Sequence, residues 1–308
     1  MDVSFIIPVL NGEQYIHRCL DSILQEASDQ DEIIVIDNGS SDATVGIVQG
    51  YGKVTLRVYP DVTVSALRNR GAELADNQLL AFIDSDCIVC LGWRAEVMRV
   101  LEDTSIHATG ALCEVPEDAG WMEKAWFSQK PDDTRKAKYM NTANLIVRRN
   151  VFSKVGGFDE SLVTDEDCEF GERLNRTGYS MLEDPAIRVI HLGNPVTLGA
   201  FYVREKWHAT SVLESGSAAL QNLPTQMSIL FALSLVLGFG SIPAAVFVNL
   251  SYLWVLVLVP IIPLLTAIYR AYQFNKYRYI PALTLLWGMF YLVRVHNMVL
   301  FLTGRHHV

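Results

Sequence analysis

Acidic side chains are missing from residues 227–308, which contain no Asp or Glu and only five basic residues: Arg270, Lys276, Arg278, Arg294 and Arg305. The chain has 308 residues, of which 25 are Lys or Arg and 34 are Asp or Glu. Residues 1–226 therefore hold the other 20 basic residues and all 34 acidic ones, a net charge of −14. An acidic, ordinarily polar front part is joined to an apolar, weakly basic tail. This asymmetry excludes a disordered chain, a disulfide-stapled small domain and a simple soluble monomer.

Cysteine is scarce, and the five cysteines of the chain are an odd number. All five lie in the front part, which indicates reduced thiols facing the cytosol rather than the disulfides of a secreted protein. Cys87 and Cys90 form a single C-x-x-C with no second pair and no nearby His, which favours core packing over a zinc or redox role. The N-terminus is too polar for a signal peptide. The acidic front part would repel phosphates, so we expect no nucleic-acid partner.

Two uncharged runs in the tail are each about as long as one membrane span. Residues 227–248 form a run of 22 residues without a charge, and residues 250–269 form a second run of 20. Because a spanning helix needs about 20 apolar residues, we expect two spans with a tight turn near Asn249.

A third apolar run, residues 280–302, carries Arg294, His296 and Asn297 near its C-terminal end. Two interpretations stay open for this run. It is either a third span whose polar group faces a partner helix or a helix that lies in the membrane interface.

Basic residues bracket the first two runs: Arg204 and Lys206 upstream, and Arg270, Lys276 and Arg278 downstream. The positive-inside rule places both flanks in the cytoplasm. We therefore expect a multi-pass protein of the plasma (inner) membrane whose large N-terminal domain is cytoplasmic.

Three regions follow from this pattern: a cytoplasmic domain over residues 1–200, a juxtamembrane helix or linker over 201–226, and a membrane domain over 227–308. Basic and aromatic side chains in residues 202–208 suit an interfacial helix. Residues 114–139 are charged, aromatic and poorly periodic, which is consistent with either a mobile loop over the site or ordinary surface.

The front part alternates between strand-like and helix-like patterns. The strand-like runs are residues 3–9, 32–37, 54–59 and 79–84, and the helical spacings are residues 13–26, a short helix after the turn at 38–42, and 63–76. Such alternation predicts an α/β domain with a parallel sheet, in which ligands bind at the carboxyl ends of the strands. The polar residues at those ends are Asn11, Asp37, Asn38, Asp84, Ser85 and Asp86.

Two acidic motifs stand out, and each has a structural and a functional interpretation. Asp84 and Asp86 at a strand end can hold a divalent cation, although a surface turn often has two Asp as well. The run Asp165, Glu166 and Asp167 begins a helical pattern, where acidic residues favour the helix dipole. Clustered carboxylates also repel one another, which raises one pKa and produces a general base.

Five segments taken together resemble the family 2 glycosyltransferases with the GT-A nucleotide-sugar fold. In order they are VSFIIPVLNGEQYIHRCLDSIL, EIIVIDNGSSD, RNRGAELADNQLLAFIDSD, NTANLIVRRNVFSKVGGFDES and TDEDCEFGERLNRTGY. The resemblance covers residues 3–191, and the membrane tail lies outside it. It implies an enzyme that transfers a sugar, with inversion, from a nucleotide-diphosphate donor with the help of Mn²⁺ or Mg²⁺.

The resemblance also implies roles for individual positions on the donor side. Pro8, Asn11 and Glu13 would edge the nucleotide, Asp37 and Asn38 would contact the base, and Arg68 and Asn69 would reach the nucleotide or its phosphates. Many relatives have two Asp where this chain has Asp37 and Asn38, which leaves the preferred base open. Asp84 and Ser85 would lie near the ribose. The metal would be bound by Asp86, Asp84 and His191. A lone His at a strand end is otherwise more often structural.

The acceptor side follows in the same way. Asp167 matches the catalytic base, and Glu166 and Asp165 would tune its pKa or shape the acceptor site. Gly156, Gly157 and Phe158 resemble the acceptor-side loop, although a Gly pair is also simply a turn.

The leading hypothesis is therefore a membrane-anchored glycosyltransferase that acts on a lipid-linked or glycan acceptor at the cytoplasmic leaflet. The chain lacks the Gln-x-x-Arg-Trp motif of processive polysaccharide synthases, which favours transfer of a single sugar. The alternative is a catalytically silent membrane scaffold that binds nucleotide sugars, and a homo-oligomer stays open.

Overall fold

The computed structural model describes residues 1–127, 133–209 and 223–303. The chain divides into two compact units. The N-terminal unit comprises Met1–Ala119 with Ser128–Asn194, and the C-terminal unit comprises Gly120–Phe127 with Pro195–Val308. Residues 120–127, which the sequence pattern placed in the first domain, group with the C-terminal unit. Residues 128–132 of the 114–139 loop, and residues 210–222 of the expected linker, lie outside the described residues.

An eight-stranded sheet forms the centre of the N-terminal unit, in the order β3-β2-β1-β4-β8-β6-β9-β7. Its strands are β1 (Val3–Val9), β2 (Glu32–Asp37), β3 (Val54–Val58), β4 (Leu79–Ile83), β6 (Ala108–Gly110), β7 (Arg135–Lys136), β8 (Asn144–Arg148) and β9 (Met181–Glu183). Strands β1 to β4 pair in parallel, as expected, whereas β8 runs antiparallel to β4. The sheet is therefore mixed, and the expectation of a parallel sheet is correct only for its first four strands.

Helices cover both faces of this sheet. They are α1 (Ile16–Glu26), α2 (Thr44–Gln49), α3 (Val64–Leu74), α4 (Trp93–Leu101), α6 (Arg149–Val155) and α7 (Glu166–Arg176). All seven residues of β1 are buried, and alternate side chains enter different cores. Phe5 packs in the core that includes α1, and Ile6 packs in the core that includes α3. A strand buried on both faces explains why its sequence is a continuous apolar run.

A small second sheet lies beside the end of β4. It pairs β5 (Cys87–Val89) with β10 (Val189–His191) in antiparallel fashion, with His191 opposite Cys87. This pairing brings a histidine that is distant in sequence next to the acidic motif after β4.

The C-terminal unit contains α5 (Trp121–Trp126), α8 (Leu198–His208), α9 (Leu223–Phe247), a 3₁₀ segment (Leu250–Val257), α10 (Leu258–Gln273) and α11 (Ile280–Leu302). Three helical stretches are long and apolar enough to cross a membrane: Leu223–Phe247, Leu250–Gln273 and Tyr277–Phe301. Large hydrophobic side chains are exposed along them, for example Val236, Trp254 and Leu265. Such a surface suits lipid rather than water.

The polar residues of the third apolar run pack against α8. Asn297 Nδ2 donates to the Lys206 carbonyl at 2.9 Å, and the Tyr202 hydroxyl is hydrogen-bonded to His296 Nδ1. α8 of the same unit thus supplies hydrogen-bond partners to His296 and Asn297, and the choice between a third span and an interfacial helix stays a prediction.

Candidate active site

Two loops that follow β1 and β2 are joined by hydrogen bonds. The Asn11 backbone N–H donates to Ser40 Oγ at 2.8 Å, and Asn11 Oδ1 accepts from the Ser41 N–H at 2.9 Å. Glu13 Oε2 accepts from the Ala43 N–H at 2.9 Å. Asn11 adopts a left-handed conformation with φ 51°, which the turn requires and which Asn tolerates. The loops therefore form one rigid rim at the carboxyl ends of the parallel strands.

Several residues predicted to contact the nucleotide have hydrogen bonds or packing that build this rim. Asp37 is fully buried, and Oδ1 of its carboxylate accepts from the N–H groups of Gly39 and Ser40, both at 2.8 Å. Asn38 exchanges hydrogen bonds with the backbone of Val62, and Pro8 is buried inside β1. These side chains stabilise the loops after β1 and β2. A base that binds here would therefore contact the rim formed by these loops.

The acidic motif after β4 is divided between two partners. Asp84 Oδ1 accepts from Arg68 Nη2 at 2.7 Å, whereas Asp86 Oδ1 lies 3.5 Å from His191 Nε2. Ser85, between them, approaches the first loop, because a β-carbon placed on Gly12 would lie 3.5 Å from its Oγ. The structure thus brings Asp86 and His191 together as predicted, and gives Asp84 a protein partner.

The residues at Asp86 fit a divalent cation. Donor atoms of Asp86, Cys87 and His191 all lie within 4.8 Å of one another. Burial raises the pKa of Asp86, an effect that His191 opposes and Asp84 reinforces, so this carboxylate lacks full compensation for its charge. Burial also raises the pKa of the Cys87 thiol, which keeps it protonated and leaves the carboxylate and the imidazole as the suitable donors. The His191 Nδ1 is buried and has no hydrogen-bond partner among the described residues.

Gly193 is a site residue that the sequence pattern did not reveal. A β-carbon placed on Gly193 would lie 1.9 Å from Asp86 Oδ2, closer than any real contact. The neighbouring Leu192 N–H donates to the Asp86 carbonyl at 2.8 Å. Any larger residue would push the Asp86 carboxylate aside, so glycine lets this chain segment pass beside it. The signal was its position two residues after His191, which a single sequence does not distinguish from a turn.

Arg68 and Asn69, which were predicted to reach the nucleotide or its phosphates, are both hydrogen-bonded to protein groups. Arg68 is 3% exposed and is held between Asp84 and Glu166. Asn69 Nδ2 donates to the Phe158 carbonyl and to Glu160 Oε1, and its Oδ1 accepts from the Phe158 N–H, all at 2.9 Å. Asn69 therefore holds the acceptor-side loop, and its contact with the donor stays a prediction.

The acceptor-side loop has a conformation that requires its glycines. Gly156 and Gly157 have φ values of 95° and 69°, and a β-carbon on Gly157 would lie 2.8 Å from Asn69 Oδ1. Phe158 is buried and packs edge-on against Phe82 at 5.1 Å between ring centroids. The ring of Phe158 thus belongs to the core, and the expectation that its segment is the acceptor-side loop stays a prediction.

Asp167 lies in the first turn of α7 in surroundings that favour a proton. Burial, and then repulsion from Glu166, raise the pKa of Asp167 from 3.8 to about 6. Its Oδ1 accepts from the Cys168 N–H at 2.8 Å, and Arg68 partly opposes the shift. Asp165 precedes the helix in a left-handed conformation with φ 65°. Glu166 is buried and bonded to Arg68, so Asp167 is the carboxylate of this turn that is poised to exchange a proton near neutral pH.

The mixed α/β sheet, with carboxylates gathered at the strand ends, defines the GT-A class of glycosyltransferase folds. A profile described as Glycosyl transferase family 2 matches residues 4–158, and one described as Glycosyl transferase family group 2 matches residues 134–301. The chain belongs to glycosyl transferase family 2. Both the expected fold class and the resemblance drawn from the five segments are confirmed.

Curated relatives share part of the chain. Glycosyltransferase AglE of Haloferax volcanii is 28% identical over 191 residues, which is 58% of this chain and 63% of the relative. The O-antigen chain rhamnosyltransferase RfbN of Salmonella typhimurium is 25% identical over 200 residues, 59% of this chain and 63% of the relative. The chain thus spans less than two thirds of the length of these relatives.

Solved structures share the fold. A mannosyltransferase from Pyrobaculum calidifontis, in complex with GDP-Man and Mn²⁺, superposes with a TM-score of 0.61 at 16% identity, and the match covers 96% of this chain and 87% of that one. GalNAc-T7 with UDP, GalNAc and Mn²⁺ gives a TM-score of 0.53 at 19% identity over 71% of this chain and 51% of that one.

Proposed function

We propose that this chain is a membrane-anchored inverting glycosyltransferase that moves one sugar from a nucleotide-diphosphate donor to an acceptor hydroxyl or phosphate. The observation that carries the proposal is the gathering of Asp84, Asp86, His191 and Asp167 in the N-terminal unit of a family 2 chain. The burial and raised pKa of Asp167 support its role as the base. Its carboxylate would take the proton of the acceptor hydroxyl as that oxygen attacks the anomeric carbon.

Asp86 and His191 would hold the divalent cation, Mn²⁺ or Mg²⁺, and a bound ion would neutralise charge on the departing diphosphate. Both solved neighbours contain Mn²⁺, which supports this assignment without distinguishing the two ions. Asp84 would be a further ligand of this cation, and its negative charge is balanced by Arg68.

The apolar helices support a lipid-linked acceptor at the cytoplasmic leaflet. An anchored site keeps a lipid substrate within reach, whereas a water-soluble acceptor gains nothing from the anchor. The O-antigen relative supports assembly of a cell-envelope glycan or glycolipid as the wider role.

Calorimetry of the detergent-purified full chain tests the donor. The panel contains UDP-, GDP- and dTDP-sugars, each with Mn²⁺ and with EDTA. We expect one nucleotide class to bind in a metal-dependent way, Asp86→Ala to abolish that dependence, and Asp167→Asn to preserve binding. Binding of none of them by a folded sample contradicts the proposal.

Acceptor choice is then tested with the same full chain and the donor that binds. We expect transfer to a polyprenyl phosphate to exceed transfer to a water-soluble analogue with the same headgroup. Equal rates on both acceptors would contradict the lipid-linked assignment while leaving glycosyl transfer intact.

A further inference from the structure

Arg68, on α3, lies between two carboxylates that come from distant parts of the N-terminal unit. Its Nη1 donates to Glu166 Oε1 and its Nη2 donates to Asp84 Oδ1, each at 2.7 Å. Burial alone would lower the pKa of Arg68, but attraction to Asp84 and Glu166 raises it, so the guanidinium stays charged. Two charge-assisted hydrogen bonds on a planar fork hold both partners in a fixed geometry.

The two partners belong to the two halves of the site. Asp84 directly follows β4 and begins the turn that contains Asp86. Glu166 is the first residue of α7, and Asp167 is the second. The guanidinium therefore links the turn that carries the proposed metal ligand to the helix that carries the proposed base.

The same contacts argue against a direct role for Arg68 in holding the donor. Both Nη atoms are engaged by carboxylates, and the Arg68 Nε is buried as well. Only 4% of the side chain is accessible. A ligand phosphate would have to displace the buried Glu166 or the partly exposed Asp84, and neither carboxylate has another cation bonded to it in the described residues, so the exchange is costly.

We propose that Arg68 is a positioning residue, which fixes Asp167 relative to the Asp84–Asp86 turn by holding Glu166 and Asp84 on one guanidinium. This inference rests on the proposed function, because the distance between base and leaving group matters only in an in-line transfer. Errors of about 1 Å in such a distance lower the rate by about 100-fold.

A double-mutant cycle on the full chain tests the bridge with the nucleotide sugar that binds most tightly in the calorimetric panel. The variants are Arg68→Met, Glu166→Gln and the double variant, assayed by release of nucleoside diphosphate in the presence of acceptor. We expect Arg68→Met to lower kcat by about 100-fold while the donor Kd stays within about threefold. The double variant should be no slower than Arg68→Met, because both changes break the same bridge.

Controls separate positioning from general loss of structure. Arg70→Met removes an arginine from the same helix whose ion-pair partner among the described residues is Glu73, on the surface, and it should change neither kcat nor Kd. Arg68→Lys should recover part of kcat, since one ammonium can reach one of the two carboxylates. If Arg68→Met does not fold, Arg68→Lys and Glu166→Gln decide, and both should lower kcat without weakening donor binding.

Two results would overturn the proposal. One is a donor Kd that weakens by about tenfold or more at unchanged kcat, which would mark Arg68 as a donor contact. The other is a double variant whose fold-loss of kcat equals the product of the fold-losses of the two single variants, because independent effects multiply.

If the wild-type chain binds no nucleotide sugar, the proposed function fails, and hydrogen exchange still tests the bridge. Amides of residues 164–170 should then exchange faster in Arg68→Lys than in Arg70→Met, and equal exchange would reject the bridge.

Discussion

Asp167 shows how burial and like charge prepare a carboxylate for proton transfer. Its pKa is raised to about 6 by burial and then by Glu166, and this rise is opposed only in part by the hydrogen bond from the Cys168 N–H and by Arg68. A base must be deprotonated to act, so transfer should increase as pH rises through about 6 and level off above it. Asp167→Asn should lower kcat by about 1,000-fold at pH 8 and leave the donor Kd within about threefold, measured by product release and calorimetry. Loss of donor binding would contradict the assignment as base.

The same shift predicts a stability change that needs no substrate. Between pH 3.8 and about 6 the folded protein retains a proton that the unfolded chain has released, so stability falls as pH rises through this window. Two pKa units correspond to at most about 3 kcal/mol. Asp167→Asn should therefore raise the Tm at pH 8 but not at pH 3.5. Asp29→Asn, which changes an exposed aspartate paired with Lys53, is the control and should give no such pH-dependent gain.

Gly193 leaves room for the Asp86 carboxylate because it has no β-carbon. Gly193→Ala would place a β-carbon 1.9 Å from Asp86 Oδ2, so the carboxylate must move. We expect Mn²⁺-dependent donor binding to weaken by about 10- to 100-fold, the usual effect of disturbing the surroundings of a metal ligand. Gly46→Ala is the matched control, because nothing lies within 4 Å of its β-carbon. Unchanged titration of Gly193→Ala with Mn²⁺ would show that Asp86 does not bind the metal.

At the scale of elements, the sequence predicts where a strand or helix lies in the chain better than it predicts which neighbours its side chains face. β1 and β2 occupy the predicted residues because their runs are apolar and bounded by polar turns. The protein contacts of Arg68, Asn69 and Phe158 could not be predicted, because their partners lie in chain segments up to 98 residues away. Whether a helical arginine faces a ligand or a buried carboxylate depends on these distant contacts, and a single sequence does not contain them.

α5 is a further element whose place could not be predicted. It has six residues, and its Trp126 packs against Phe201 and Trp287 of the C-terminal unit. A short amphipathic helix does not indicate which apolar partner it will find. Its position in the chain, between β6 and β8, pointed to the N-terminal unit instead.

The pairing of α8 with α11 makes a prediction at the same scale. Asn297 is 2% exposed and donates to the Lys206 carbonyl at 2.9 Å. Asn297→Ala should destabilise the detergent-purified protein by about 1 kcal/mol and accelerate amide exchange in α8, measured by thermal unfolding and mass spectrometry. Thr303→Val is the control, because within the described residues the Thr303 hydroxyl donates to carbonyls of its own helix. Equal exchange in the two variants would mean that this hydrogen bond does not hold α8.

The whole molecule combines an acidic unit that carries the proposed site with a tail that carries no acidic residue at all. The two parts suit different surroundings. Carboxylates are stable in water or beside a cation, whereas the exposed apolar helices are stable in lipid. This division explains why every carboxylate side chain of the protein lies before residue 227.

The charge distribution also predicts how the chain crosses the membrane. Ser251 is the second residue of the second candidate span, close to the break between the first two spans, and Tyr277 is the first residue of the third, beside Lys276 and Arg278. Because basic flanks stay in the cytoplasm, we expect Ser251→Cys to react with an impermeant maleimide in intact cells, and Tyr277→Cys to react only after permeabilisation. Labelling is assigned peptide by peptide by mass spectrometry, with the native cysteines as cytoplasmic references. Labelling of Tyr277→Cys in intact cells would reverse the orientation and place the proposed site on the side of the membrane opposite to cytosolic nucleotide sugars.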